Sequence, residues 1–245
     1  MNTDNLKNEI DNFISVFRSH LKFVYEAPVP KYGELYKKII CVCVLDTLSK
    51  TVFPIEKRNR KRFIDFLEKF SKDDLWNRVS LLHLIEILKR TNDSAFENLA
   101  KYANKKMGDP HNANDEPPAK LLDPEYEETQ VLWPNTVGDI EGLSLEHLTH
   151  KHLFYSYRNY LIHEMRRIGG VLDDDLHHAD PFYYSAQHSG ENKSSWKLVY
   201  PLGFHIRVCE NALKNVEDYC LSSQTNPYDS FDRGVYFLTL LNDAE

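Results

Sequence analysis

The stretch Tyr157-Arg158-Asn159-Tyr160-Leu161-Ile162-His163-Glu164 lies in a segment of helical periodicity. We expect this helix to run from about Leu145 to Ile168 and to end at Gly169-Gly170. It places an arginine, an asparagine and a histidine within six positions. A guanidinium binds phosphate through a fixed fork of donors, and an imidazole transfers protons near neutral pH. These groups suffice for metal-independent cutting of RNA, because RNA carries its own nucleophile.

The helical spacing divides this segment into two faces. At about 100° per residue, Asn159, His163 and Arg166 share a polar face with Ser156 nearby, and this face is free to line a cleft. Arg158 falls at the edge between the faces, from which its long side chain reaches toward His163. The other face is expected to meet the core and consists of Leu153, Phe154, Tyr157, Leu161, Met165 and Ile168.

Each polar residue of the stretch has a place in RNA cleavage. His163 is the natural base for the 2′-hydroxyl or the acid for the leaving oxygen, and Arg158 would stabilise the charge on the phosphate. Asn159 would hold the imidazole or donate to a phosphate oxygen, and Arg166 and Arg167 are placed to bind substrate phosphates. One chain supplies one such histidine, whereas the reaction uses a base and an acid. Two copies facing each other across a twofold axis would supply both.

The string Arg158-Asn159 followed by His163 resembles the HEPN superfamily, named for higher eukaryotes and prokaryotes nucleotide-binding. The helical character of the chain and the position of the string on a long helix in the second half agree with that resemblance. The resemblance implies a helical bundle that forms a homodimer, and an RNA-cutting site shared by both subunits without a cofactor. It also implies a role in toxin–antitoxin, CRISPR-associated or anti-phage systems, with an antitoxin or defence component as a partner.

The same spacing of arginine and histidine occurs once more, in Arg78-Val79-Ser80-Leu81-Leu82-His83. Here a valine follows the arginine, where the family prefers a polar residue. The surrounding leucines and Ile85 indicate a helix that faces the core. We therefore place the catalytic residues in the string from Arg158 to His163.

Composition limits the classes of function. The chain has 245 residues, 42% of them hydrophobic, and a net charge of −7, so any contact with RNA must be confined to a groove or cleft. No apolar run has the length of a membrane helix, and the N-terminus lacks a signal-peptide pattern, so we expect a cytoplasmic protein. The four cysteines lack the C-x-x-C spacing of zinc sites. We expect buried, reduced thiols at Cys41, Cys43, Cys209 and Cys220.

The pattern along the chain predicts a mainly α protein, organised as one HEPN-like domain over 1–245. Residues 108–143 are expected to be an irregular connection pinned by Val131, Leu132 and Trp133, and residues 182–200 a small inserted β-hairpin. An apolar end near Val235 is expected to dock as a strand or a last turn. The predicted helices span about Asn5–Tyr25, Tyr32–Val52, Glu56–Phe70, Ser71 (as N-cap) to Lys89, Asp93–Lys106, Leu145–Ile168 and Leu202–Ser222.

Three further groups of residues are candidates for function. His147, His150 and His152 crowd the start of the motif helix, where they are solvated, contact RNA, or hold a metal through His147 and His150. Asp46, inside an apolar helix, is expected to pair with an arginine or a lysine, or else to act beside the active site. A basic cluster that is either a solvated helix face or an RNA-docking surface consists of Lys57, Arg58, Arg60, Lys61 and Arg62.

Two other classes of function are compatible with this reading. The first is a non-catalytic module of the same fold that binds a nucleotide, an RNA or a protein, and the acidic net charge favours it. The second is a transferase, although the sequence carries no P-loop, Rossmann or kinase signature.

Overall fold

The computed structural model describes residues 3–28, 33–91, 93–109, 116–165, 178–187 and 194–231. The predicted mainly α class is confirmed. The α-helices of these residues are α1 (Thr3–Glu26), α2 (Gly33–Val52), α3 (Asn59–Phe66), α4 (Leu81–Leu88), α5 (Glu97–Met107), α6 (Ala119–Leu122), α7 (Tyr126–Leu132), α8 (His150–His163) and α9 (Leu202–Ser223). Single turns of 3₁₀ helix lie at Ser94–Phe96, Leu145–Leu148 and Pro227–Ser230.

The helix α2, which is more apolar than α1, is central. It packs against α1, α3, α8 and α9, as expected for a helix that has apolar residues on all sides. One continuous hydrophobic cluster takes side chains from α1 through α9, and its fully buried members include Phe63, Trp76, Phe154 and Phe204. The aromatic rings of Phe154 and Trp76 lie 5.4 Å apart, which fixes α8 against the segment before α4.

The predicted β-hairpin is confirmed. Strands β1 (Phe182–Gln187) and β2 (Ser194–Val199) pair antiparallel, with Tyr183 opposite Leu198 and Ser185 opposite Trp196. Since side chains alternate across a strand, these four residues share one face of the hairpin. Tyr183 is fully buried on this face, so the face points into the body of the protein.

The prediction that Ser71 begins a helix reaching Lys89 is wrong. Ser71 closes a π-helical turn, Leu67–Ser71, that continues α3, and its hydroxyl donates to the Leu67 carbonyl at 2.5 Å. Lys72 then adopts a left-handed conformation with φ of 49°. Residues 74–77 form turns, Arg78 and Val79 form isolated β-bridges, and the backbone N–H of Val79 donates to the Pro124 carbonyl at 2.9 Å. The helical pattern of the sequence is overridden here, because the backbone forms hydrogen bonds with segments that are remote in the chain.

The prediction of an irregular connection over 108–143 is wrong in part, because α6 and α7 lie within it. Trp133 does anchor the segment, since its ring packs against Phe96 at 5.1 Å and its indole N–H donates to the Val137 carbonyl. Leu132 is also packed against the core, whereas Val131 is exposed.

The predicted helix from Leu145 to Ile168 is shorter and interrupted. Its first turn is the 3₁₀ turn at Leu145–Leu148, and Thr149, with ψ of 151°, separates that turn from α8. The α8 helix ends at His163, and Met165 is exposed with φ of 48°, so Met165 does not belong to the core face. Ile168 and Gly169-Gly170 lie outside the described residues, as does the tail near Val235.

The burial of the four cysteines agrees in part with the prediction from the sequence. Cys41, Cys209 and Cys220 are buried and unpaired as expected, whereas Cys43 is exposed. Among the described helices, none combines the length and the apolar character needed to cross a bilayer.

Candidate functional site

Arg158 is held inside the protein rather than at the edge of α8. The residue is buried, and its guanidinium Nη2 lies 2.9 Å from Asp46 Oδ1 on α2. The rings of Phe63 and Tyr155 lie 5.8 Å and 5.9 Å from the guanidinium carbon and form a cation–π environment. The predicted pairing of Asp46 with an arginine is therefore confirmed. The contact is an ion pair by distance, although Asp46 Oδ1 lacks a partner with hydrogen-bond geometry.

Asn159 connects the buried arginine to the polar face of α8. Its Oδ1 accepts a hydrogen bond of 2.8 Å from Arg158 Nη1. One helical turn later, His163 is exposed at the last position of α8 and has no hydrogen-bond partner among the described residues. The structure thus brings Arg158 and Asn159 together and places His163 on the surface of the Asn159 face. Arg166 and Arg167 lie outside the described residues.

Most side chains of the basic cluster already have a polar partner within the chain. Arg58 pairs with Glu56, and Lys61 pairs with Asp65. The guanidinium of Arg62 donates to the Ser49 hydroxyl, 3.2 Å away. Arg60 donates to His152 Nδ1 at 2.9 Å.

Two of the crowded histidines, His147 and His152, come together, with ring centroids 5.5 Å apart. His147 caps the 3₁₀ turn through the Ser144 backbone N–H. His152 lies between Arg60 and Glu146, and its burial, followed by the charge of Arg60, lowers its pKa to about 4. His150 is fully buried and turns away from both, so the interpretation of His150 as a solvated or RNA-contacting residue is wrong. No group of three potential metal ligands comes together in the part of the chain that the structure describes.

His150 belongs to a buried polar network, which we define as Ser80, His83, Asp123, His150, Tyr183 and Tyr200. Asp123 is its centre and is 1% exposed. The Asp123 carboxylate lies 2.6 Å from His150 Nε2 and accepts hydrogen bonds from the Tyr183 hydroxyl and the backbone N–H of Leu81. His150 Nδ1 lies 2.8 Å from the Tyr200 hydroxyl.

The network reaches the surface of a cavity at His83. Ser80 Oγ lies 2.9 Å from both the Tyr183 hydroxyl and His83 Nδ1. The half-buried ring of His83 lines this cavity, whose volume is about 780 Å³ and which lies between α4, α5, α8 and β2. Burial, and then the positive charge that His150 can carry, lowers the pKa of His83 to about 4. Burial also raises the pKa of Tyr183 and of Tyr200 well above the usual value of a tyrosine.

Sequence reasoning missed this network because its members are far apart in the chain. Asp123 lies in a stretch with the composition of a loop, and Tyr183 lies in a hairpin whose tyrosines suggested packing. The available signal was the string from Arg78 to His83, which interrupts a leucine-rich segment with a serine and a histidine. Buried polar groups in such a segment require partners.

Comparison with known proteins adds no assignment: no family model, no curated protein and no solved structure matches the chain.

Proposed function

We propose that the chain is a metal-independent endoribonuclease of the HEPN type that acts as a homodimer. Arg158 and His163 are the catalytic residues, Asn159 orients them, and Arg166 and Arg167 bind the substrate. His163 of one subunit takes the proton from the 2′-hydroxyl, and the same residue of the second copy gives a proton to the leaving oxygen. Arg158 stabilises the charge that develops on the phosphate. Systems of defence or toxin–antitoxin pairs are the expected setting.

The linked arrangement of Asp46, Arg158 and Asn159 beside the exposed His163 is the observation that carries this proposal. The guanidinium is preorganised by a carboxylate at 2.9 Å and an amide oxygen at 2.8 Å. The imidazole of His163 is accessible on the face that Asn159 shares. Preorganised donors beside an accessible proton carrier are what phosphate-ester cleavage requires.

A second candidate function rests on the same ion pair. Asp46 neutralises much of the charge of Arg158, and only 9% of the Arg158 side chain is exposed. A guanidinium in this state binds phosphate poorly unless it turns outward. The alternative is thus a non-catalytic module of the same fold that binds a nucleotide, an RNA or a protein.

The first experiment measures RNA cutting in EDTA. We expect the wild-type chain to cut, and His163→Ala and Arg158→Lys to reduce the rate by about 10²-fold or more while the circular dichroism spectrum stays unchanged. His20→Ala and Arg90→Ala, which change exposed residues far from the string in sequence, serve as matched controls and should keep the rate. Binding of RNA without cutting by the wild-type chain would favour the alternative.

The composite site has its own test. His163→Ala subunits are mixed with wild-type subunits after conditions that allow exchange. If each site needs a histidine from both copies, an equal mixture retains roughly a quarter of the wild-type rate, since only wild-type pairs are active. Half of the rate would instead show that each subunit cuts independently.

A further inference from the structure

The cavity beside His83 is separate from the Arg158 string. Its wall contains residues of α4, α5, α8 and β2, and none of Arg158, Asn159 and His163 lines it. Its volume of about 780 Å³ lies in the range of sites for small molecules. The lining is mostly aromatic or aliphatic and includes Leu82, Met107, Leu153, Trp196, Leu198 and Tyr200.

The proton order in the polar network follows from the tyrosine beside Asp123. The Tyr183 hydroxyl keeps its proton, since its pKa is raised, and donates that proton to the Asp123 carboxylate at 2.8–2.9 Å. Its oxygen can therefore only accept from Ser80, so the Ser80 hydroxyl donates to Tyr183 over 2.9 Å. Having used its one proton, Ser80 must accept from His83 Nδ1, which lies 2.9 Å away.

This order fixes the tautomer of His83. The proton of the neutral ring sits on Nδ1, and Nε2 carries an unshared electron pair. No described residue makes a hydrogen bond to Nε2, and Nε2 is not among the buried atoms that lack a partner. Nε2 is therefore not fully buried, and the His83 ring lines both this cavity and a smaller one of about 400 Å³ beside it. His83 thus offers a hydrogen-bond acceptor of fixed tautomer at the cavity wall.

The Trp196 ring gives the same cavity a fixed flat surface. The indole N–H donates to the Gly108 carbonyl at 3.2 Å and so ties β2 to the end of α5. The charged residues at the α4 wall, Glu86 and Lys89, neutralise each other at 2.7 Å. Lys197 of β2 also lines the cavity and pairs with no carboxylate among the described residues, so the unpaired charge at the lining is positive and disfavours a cationic ligand.

We propose that the cavity binds a small, planar, non-cationic heteroaromatic molecule that donates a ring N–H to His83 Nε2 and packs against Trp196. Ser80 is a positioning residue, because it holds the His83 proton on the far nitrogen. The proposal does not depend on RNA cleavage at the Arg158 string.

Isothermal titration with indole and benzofuran tests the acceptor directly. The two molecules have nearly the same shape, but benzofuran places an oxygen lone pair where indole has its N–H. We expect the wild-type chain to bind indole about tenfold more tightly than benzofuran, because benzofuran leaves the hydrogen bond to His83 unmade. Tryptamine, a cation built on the same ring, should bind more weakly than indole.

Variants distinguish the effect of the His83 tautomer on binding from the effect of ring packing against Trp196. Ser80→Ala releases the His83 proton to either nitrogen, so the preference for indole over benzofuran should disappear while binding of the ring remains. Ser194→Ala changes another serine of the same cavity and should keep the preference. Trp196→Leu should weaken both ligands together, whereas Trp133→Phe, at a half-buried tryptophan that does not line the cavity, should not.

Two kinds of measurement would overturn the proposal. One is equal affinity of the wild-type chain for indole and benzofuran, or no saturable binding of indole up to roughly millimolar concentration, the weak limit of specific sites. The other is a nitrogen-15 NMR spectrum that places the His83 proton on Nε2. The spectrum needs no ligand, so it tests the proton order even where a variant binds weakly.

Discussion

Two strings with the same spacing, Arg78–His83 and Arg158–His163, have opposite surroundings. In the first, the arginine faces Glu125 and the Asp123 carbonyl, and the histidine ends a buried network at a cavity. In the second, the arginine is buried against Asp46, and the histidine is exposed at the end of a helix. In both places the arginine pairs with a carboxylate. What differs is whether the imidazole is fixed by neighbours or left accessible.

This difference shows that the spacing between an arginine and a histidine does not by itself define a functional site. The first string has a histidine that is fixed by its neighbours and an arginine that pairs with Glu125. The second has an accessible histidine, but the charge of its arginine is partly neutralised by Asp46. A second subunit could complete the second string, whereas the network of the first is complete within one chain.

The largest expected effect is at the centre of the first string's network. Asp123→Asn leaves His150 and Tyr183 facing an amide in place of a carboxylate that is fully enclosed. We expect the free energy of unfolding to fall by about 3 kcal/mol, because an amide has one acceptor oxygen where the carboxylate accepts hydrogen bonds at both of its oxygens. Urea unfolding followed by circular dichroism measures it.

The control for this variant is Asp65→Asn, which removes a more exposed carboxylate paired with Lys61. That change should cost less than about 1 kcal/mol. If Asp123→Asn costs no more than Asp65→Asn, the polar network does not stabilise the fold.

An intermediate effect is expected at the anchor of the second string. A double-mutant cycle with Asp46→Asn and Arg158→Met should give a coupling free energy of about 1–2 kcal/mol, because Asp46 is 29% exposed and Arg158 only 9%. The exposed pair Arg18–Glu217 is the matched cycle and should couple by about 0.5 kcal/mol or less. Equal coupling in the two cycles would mean that Arg158 is not held by its carboxylate and is free to reach a substrate.

The smallest effect on stability is expected at His163. His163→Ala changes an exposed residue at a helix end, so the free energy of unfolding should shift by no more than about 0.5 kcal/mol. Thermal unfolding measures this shift. A large loss of stability would show that the imidazole has a structural role. Loss of RNA cutting by His163→Ala could then result from unfolding and would not demonstrate catalysis by His163.

The sequence predicted those parts of the fold that local patterning determines. The bounds of α1, α2 and α9 follow from apolar periodicity, and the hairpin follows from two aromatic runs around a turn. The region from Ser71 to Ser80 could not be predicted, because its backbone pairs with Pro124 and Leu148, which are remote in the chain. Within the site, the partner of Asp46 could be predicted from the cost of a buried charge, but the burial of Arg158 depends on rings supplied by α3 and α8.

The alternation of side chains in the hairpin has a consequence for folding. Tyr183 reaches Asp123 from the same hairpin face that brings Trp196 to the cavity wall. A slip of one residue between β1 and β2 would turn one strand's contribution to that face outward. A misaligned hairpin would therefore lose either the Tyr183 hydrogen bond to the buried carboxylate or the Trp196 side of the pocket, so correct strand alignment is a condition for having both.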